Sequence, residues 1–230
     1  MKALFALVVV LLTSFEVWGA TVHVAVASNF AAPIKQIAKS FQEETGHLAI
    51  ISLGSTGKLY AQILHGAPYE VFLAADQKRP EMAIENKLAI AGSRFTYATG
   101  KLAMIPHIDL AKDEFSKLSI ANPKTAPYGK AAVQTLTAMG FYDKVKAKLI
   151  FGENIAQTFQ FAQSSSKIVG LVALSQVINK KDIWVIPEQL YDPIAQDAVL
   201  IKQTAGARAF MSFLKSDQAK SILKNFGYGM

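Results

Sequence analysis

The stretch TVHVAVASNFAAPIKQIAKSFQEETG (residues 21–46) decides the fold. Valines at 22, 24 and 26 alternate, the period of a strand with one face turned inward. The apolar positions then move to Ile34, Ile37, Ala38 and Phe41, the spacing of one helix face. Ser28 and Asn29 lie between the two patterns and are of the type that opens helices. Pro33 falls in the first turn, where a missing N–H costs little, and Gly46 is a natural stop. The segment therefore reads as a buried strand, a short polar loop and a helix.

The next segments repeat this order. HLAIIS (47–52) is a strand, GSTGK (54–58) a turn, and Leu59, Ile63 and Leu64 begin a helix that Gly66 and Pro68 end. EVFLAA (70–75) is a third strand, and Asp76 caps the turn into a helix around 80–87. Strand–helix–strand–helix–strand implies a parallel sheet with right-handed crossovers. Ligands of such sheets sit beyond the carboxyl ends of the strands, where Ser28–Asn29 and Ser55–Thr56 both fall. GSTGK is not a nucleotide loop. A phosphate-binding P-loop needs a glycine at position 52 and a hydroxyl after the lysine, and the chain has Ser52 and Leu59 there. A general anion site at a helix N-terminus is compatible with it.

A second unit follows the same plan. FTYATGKLAMI (95–105), LSIANP (118–123), KLIFGEN (148–154), KIVGLVAL (167–174) and IWVIP (183–187) read as strands. PYGKAAVQTLTAMG (127–140) and the segment from Ile155 read as helices. Residues 204–226 are helical, broken by a cap at Ser216–Asp217. The expected architecture is α/β with two lobes, 21–99 plus 202–230 and 100–201, joined by linkers near 98–102 and 196–202. The ligand cleft is expected between the lobes.

Residues 1–20 read as an export signal: Lys2, then the apolar run ALFALVVVLLTSF, with cleavage after Gly19 or Ala20. The net charge is +7 with or without this segment, but the lysines are scattered, so nucleic acid is not an expected partner. The chain has no cysteine, which excludes disulfides, a thiolate nucleophile and a lipid anchor on a mature N-terminal cysteine. His23, His47, His65 and His107 lack metal-ligand spacing, so no cation site and no cofactor are expected. Neither serine loop carries a G-x-S-x-G elbow, so no catalytic residues are assigned and an enzyme is not expected. Lys58 reads as a solvated lysine rather than a counter-ion.

VASNFAAPIKQIAKSF (26–41), GSTGKLYAQILHGAPYEVFLAADQKRP (54–80), GSRFTYATGKLAM (92–104) and ANPKTAPYGKAA (121–132), in this order, resemble the periplasmic molybdate/tungstate-binding proteins of ABC transporters. The resemblance implies the type II periplasmic-binding-protein fold, with a tetrahedral oxyanion held in the inter-lobe cleft by uncharged donors. By position it implies Ser28 and Asn29 from the first loop, Thr56 with Ser55 before it from GSTGK, and Tyr128 from PYG. From GENI it implies Ile155, through its backbone N–H. Some members have a tyrosine after the late strand; here Ala173 stands there, and Asn29 is the expected replacement for its hydrogen bond. The implied protein is a periplasmic monomer that binds molybdate or tungstate and meets an inner-membrane permease transiently. A sulfate-binding or other oxyanion-binding protein of the same fold is the alternative. Molybdate carries no proton at neutral pH and needs only donors, whereas hydrogen phosphate calls for an acceptor; the loops offer no carboxylate unless Glu153 turns inward.

Overall fold

The structure is a computed structural model describing residues 19–230. All but the last two residues of the expected export signal lie outside the described residues. The first unit runs β1 (Thr21–Ala27), α1 (Ala31–Thr45), β2 (Leu48–Gly54), α2 (Thr56–Leu64), β3 (Val71–Leu73), α3 (Lys78–Glu85) and β4 (Phe95–Gly100). The chain then enters the second unit: β5 (Leu102–Ile105), β6 (Lys117–Ala121), α4 (Pro127–Ala138), α5 (Tyr142–Val145), β7 (Leu149–Gly152), α6 (Ile155–Ser164), β8 (Ile168–Ala173), α7 (Leu174–Val177) and β9 (Trp184–Val185). It returns through β10 (Ile194–Leu200) and ends in α8 (Ala205–Leu214) and α9 (Asp217–Asn225).

Two five-stranded sheets result, ordered β2-β1-β3-β10-β4 and β7-β6-β8-β5-β9. Each has three parallel strands followed by an antiparallel one. The interior strand β1 is covered on both faces. Val22, Val24 and Val26 pack with Ile34, Ile37 and Phe41 of α1 and Phe210 and Leu214 of α8. Ala25 faces Leu59 and Ile63 of α2. The final helices thus close the first sheet, and Gly46 takes the left-handed turn (φ 72°) that ends α1.

One segment corrects the sequence reading. Residues 196–202, expected as a linker, are mostly strand. β10 pairs antiparallel with both β3 and β4, so 194–200 belong to the first sheet and not to the second lobe. Gln196 and Asp197 hid the strand, because two polar residues interrupt its apolar run. Both are buried, and hydrogen bonds compensate them: Asp197 accepts from Thr96 at 2.7 Å, and its bonds, with those of Gln196, satisfy the buried groups. The register shifts between Gln196 and Asp197, a bulge that re-aims side chains. The chain thus crosses between sheets twice, at Lys101 and just before Ile194, and β4 and β10 run side by side. Gly229 pairs with Thr99 through two backbone hydrogen bonds, which brings Tyr228 to the same crossing.

Candidate functional site

Four helix N-termini meet where the lobes face each other. A single 3-10 turn, Ser28–Phe30, leads from β1 into α1; Ser55 precedes α2, Ala126 precedes α4, and Asn154 precedes α6. They converge on one tight cavity of about 10 Å³, whose wall includes Ser28, Asn29, Ser55, Thr56, Tyr128 and Ile155. The six residues singled out in the sequence are thus together in space. They come from both lobes, because each loop follows the carboxyl end of a strand in its own sheet.

The wall carries no charged side chain. Lys58 and Glu153 instead pair with each other at 2.9 Å, half exposed. Glu153 therefore turns outward, and Lys58 is not inside. A larger groove beside the cavity is lined by Asp76, Lys78, Arg79, Lys130 and Asp192; Asp76 pairs with Arg79, and Asp192 with Lys130.

The helix ends are unusually open. The turn before α1, α2 and α4 have no side-chain cap. Pro127 supplies no N–H, and those of Gly129 and Lys130 return to the Ala126 carbonyl, so Tyr128 carries the first available amide of α4. Asn154 does cap α6, but its Oδ1 accepts from Ala156 and Gln157 at 2.9 and 3.1 Å, which leaves the Ile155 N–H to the cavity. Unpaired amides at converging positive helix ends favour an anion.

The hydroxyls divide into two kinds. Ser55 Oγ is buried and has no hydrogen-bond partner among the described residues. Its position in the cavity wall leaves it able to hydrogen-bond a molecule held there. Thr56 Oγ1 accepts from the Ala75 N–H at 3.0 Å, so its lone pair is engaged. Burial pushes the Tyr128 hydroxyl well above its ordinary range, with Tyr228 and Tyr97 adding to the shift. Burial likewise pushes Tyr228 up to about 12. Both are protonated at neutral pH.

Asn29 does something other than expected. Its side-chain nitrogen donates to Gln196 Oε1 at 2.9 Å and to Tyr228 Oη at 3.0 Å. Both N–H groups are thereby used, so the carboxamide does not stand in for the hydroxyl absent at Ala173. Sequence reasoning missed Gln196, Tyr228, Tyr97 and Ser175, the partners behind the wall. None lies in a helix-opening loop. Gln196 fell in a segment read as a linker, and Tyr228 reaches the site from the far end of the chain.

The sequence model of bacterial extracellular solute-binding proteins matches residues 22–229. This chain belongs to that family. Among members of known role, it is 46% identical to the molybdate-binding protein ModA of Azotobacter vinelandii over 228 residues, 92% of this chain and 90% of the relative. It is 43% identical to ModA of Rhodobacter capsulatus over 217 residues, 89% and 86% of the two chains. Its fold superimposes on the solved periplasmic molybdate-binding protein of Azotobacter vinelandii with a TM-score of 0.86 and 38% identity, covering 91% of this chain and 99% of that one. It also matches the sulfate-binding protein SubI of Mycobacterium tuberculosis with a TM-score of 0.73, covering 91% and 86%; at 10% identity this shows the solute-binding fold alone. The two-lobed α/β architecture is thus that of solute-binding proteins, and the relatives are binding proteins.

Proposed function

We propose that this protein captures molybdate, and tungstate as its near-isostere, in the inter-lobe cavity and delivers it from the periplasm to an ABC permease. The carrying observation is the convergence of four helix N-termini and neutral hydroxyls on a cavity with no charged side chain in its wall. Such a site spreads compensation over a dianion and offers it no fixed counter-charge to outcompete water. A fully deprotonated tetrahedral oxyanion suits a donor-only wall. The identity of 46% to a molybdate-binding protein supports molybdate over other oxyanions. The donors assigned are the hydroxyls of Ser28 and Ser55, the Thr56 loop, and the backbone N–H groups of Asn29, Tyr128 and Ile155. A monomer that closes on its ligand and docks transiently on the permease accounts for two lobes joined at two crossings.

Calorimetric titration of the ligand-stripped chain from Thr21 onward tests this. Tight one-to-one binding of molybdate and tungstate is expected, with sulfate weaker and phosphate weaker still. Tight sulfate or phosphate binding with weak molybdate binding overturns the choice of ligand.

A further inference from the structure

The turn between β6 and α4 uses its N–H groups within the second lobe and its carbonyls outside it. Asn122 Oδ1 accepts from the Lys124 N–H at 3.0 Å, and the Asn122 carbonyl accepts from Thr125 and Ala126 at 3.1 and 2.9 Å. Among the described residues, the carbonyls of Lys124 and Thr125 find donors only in the first lobe. Thr125 accepts from the Gly57 N–H at 2.8 Å, and Lys124 accepts from Arg79 Nη2 at 3.3 Å. Arg79 is itself held in place. Its Nη1 pairs with Asp76, and the other Asp76 oxygen accepts from the Arg79 N–H at 3.0 Å. Gly57 is the second residue of α2, a helix with no side-chain cap, so its amide is one of the donors the helix itself leaves unpaired. The glycine has a steric reason. Its backbone is helical and not left-handed, and alanine is the better helix former there. A Cβ at this position, however, would stand 3.0 Å from the Thr125 carbonyl oxygen and 3.1 Å from the Thr125 Cα. Glycine lets the second lobe come this close.

We propose that Gly57 and Arg79 are positioning residues for lobe closure: they clasp the turn before α4 and so set how long the closed lobes retain the bound oxyanion. Each bond joins elements of different lobes, so each forms only while the lobes are together. The clasp acts on the same two helix ends that face the cavity. Thr56, in the cavity wall, immediately precedes Gly57 on α2. Tyr128, which carries the first available amide of α4, follows Thr125 by three residues. Two positive helix ends brought together repel each other until something negative lies between them. The ligand supplies charge inside the cavity, and the Lys124 and Thr125 carbonyls supply the oxygen ends of two peptide dipoles beside it. Adjacent residues of α2 thus divide the two tasks: the Thr56 loop meets the ligand and the Gly57 amide meets the other lobe. The ion pair of Lys58 and Glu153 also spans the lobes, but it is half exposed and screened, whereas the Arg79 side chain is 22% exposed. Neither Gly57 nor Arg79 lines the cavity. The clasp therefore governs retention and not the choice among oxyanions.

The inference rests on the proposed capture of molybdate by lobe closure and deepens it, and its test separates the two. Association and release rates of molybdate are measured by rapid mixing, affinities for tungstate and sulfate by titration, and ligand-free stability by urea unfolding. The proteins are wild type, Gly57→Ala and Arg79→Lys. Gly57→Ala keeps the amide but pushes the Thr125 carbonyl away. Arg79→Lys keeps the charge beside Asp76 but loses the second arm of the guanidinium fork, and it carries the test if the alanine variant does not fold. Each variant should speed molybdate release by about three- to tenfold, the worth of one hydrogen bond, with the association rate unchanged within about twofold. Affinities for tungstate and sulfate should fall by that same factor. Ligand-free Gly57→Ala should unfold at the same urea concentration as wild type or higher, because alanine favours α2 when the lobes are apart. Unchanged release in both variants, a loss carried by slower association, or an altered ratio of molybdate to sulfate affinity overturns the inference. So does a drop in ligand-free stability that parallels the loss of affinity, which would make both residues merely structural. A wild-type protein that binds none of the three anions overturns the reading beneath the inference, and the inference with it.

Discussion

Lys58 on α2 and Glu153, just before α6, form an ion pair 2.9 Å long that joins one lobe to the other outside the oxyanion cavity. Both side chains are half exposed or more, 50% and 65%, so the pair is weak and screened by salt. It consumes the one lysine in the GSTGK loop and the one carboxylate in the GENI loop. Lys58→Ala is therefore expected to change molybdate affinity by no more than about threefold, with the difference shrinking at high salt. Titration at two ionic strengths checks this. A loss of two orders of magnitude would mean that Lys58 is the counter-ion after all.

Ser55 and Thr56 are neighbours with opposite bonding, and their variants should separate binding from stability. Ser55 Oγ has no hydrogen-bond partner among the described residues. Ser55→Ala removes an unsatisfied buried group, so the ligand-free protein should be as stable or more so, while molybdate affinity falls by about tenfold or more. Thr56 Oγ1 satisfies the Ala75 N–H. Thr56→Val leaves that amide orphaned and should cost about 1–3 kcal/mol in urea unfolding without ligand. If the two variants behave alike, the division of roles is wrong.

What the sequence made legible follows from locality. The loops at Ser28 and Ser55 each sit between a strand pattern and a helix pattern, so residue types and spacing mark them as candidate anion-facing ends, whereas Tyr128 and Ile155 were legible only through the resemblance of PYG and GENI to the molybdate/tungstate-binding proteins. The partners of these loops are not local. Asn29 meets Gln196 across 167 residues and Tyr228 across 199, and no periodicity reports a contact of that range. The same gap explains β10. Its buried Gln196 and Asp197 are explicable only once their partners are in place, and from sequence they look like a polar linker. Asn29 was legible as a site residue but not in its role, because a carboxamide can serve the ligand or the scaffold and only the structure shows which way it turns.

Gly100 is a tight point at the crossing of the lobes. A methyl group there would approach Tyr128 Oη to 2.1 Å and the Tyr128 ring carbon bearing it to 3.0 Å. Tyr128 is buried and belongs to the other lobe, so the ring can yield only by moving the lobes apart. Gly100→Ala should fold, because each sheet keeps its own core, but should weaken molybdate binding by about 100-fold. Small-angle scattering provides the second check: molybdate should compact the wild type and leave the variant unchanged. Normal affinity in Gly100→Ala would show that the contact relaxes locally.

Alkaline pH should expose the buried tyrosines as stabilising only while protonated. Burial pushes Tyr228 from its ordinary 10.0 up to about 12, and raises Tyr128 and Tyr97 as well. A pKa raised on folding contributes stability that is complete below the unfolded value and lost as pH climbs through the folded one. Tyrosine-linked stability should hence be level below about pH 10 and fall between about pH 10 and 12, by about 3 kcal/mol for Tyr228 alone. Tyr228→Phe should lose the hydroxyl's hydrogen bonds, lowering stability at neutral pH, yet show a shallower alkaline decline. Molybdate affinity, by contrast, should stay flat between about pH 7 and 9, because no carboxylate, lysine or histidine lines the cavity and its tyrosine stays protonated. Chemical denaturation and titration across that range give both curves. An affinity that drops with a midpoint near pH 8 would require a titrating group in the wall, which is not there.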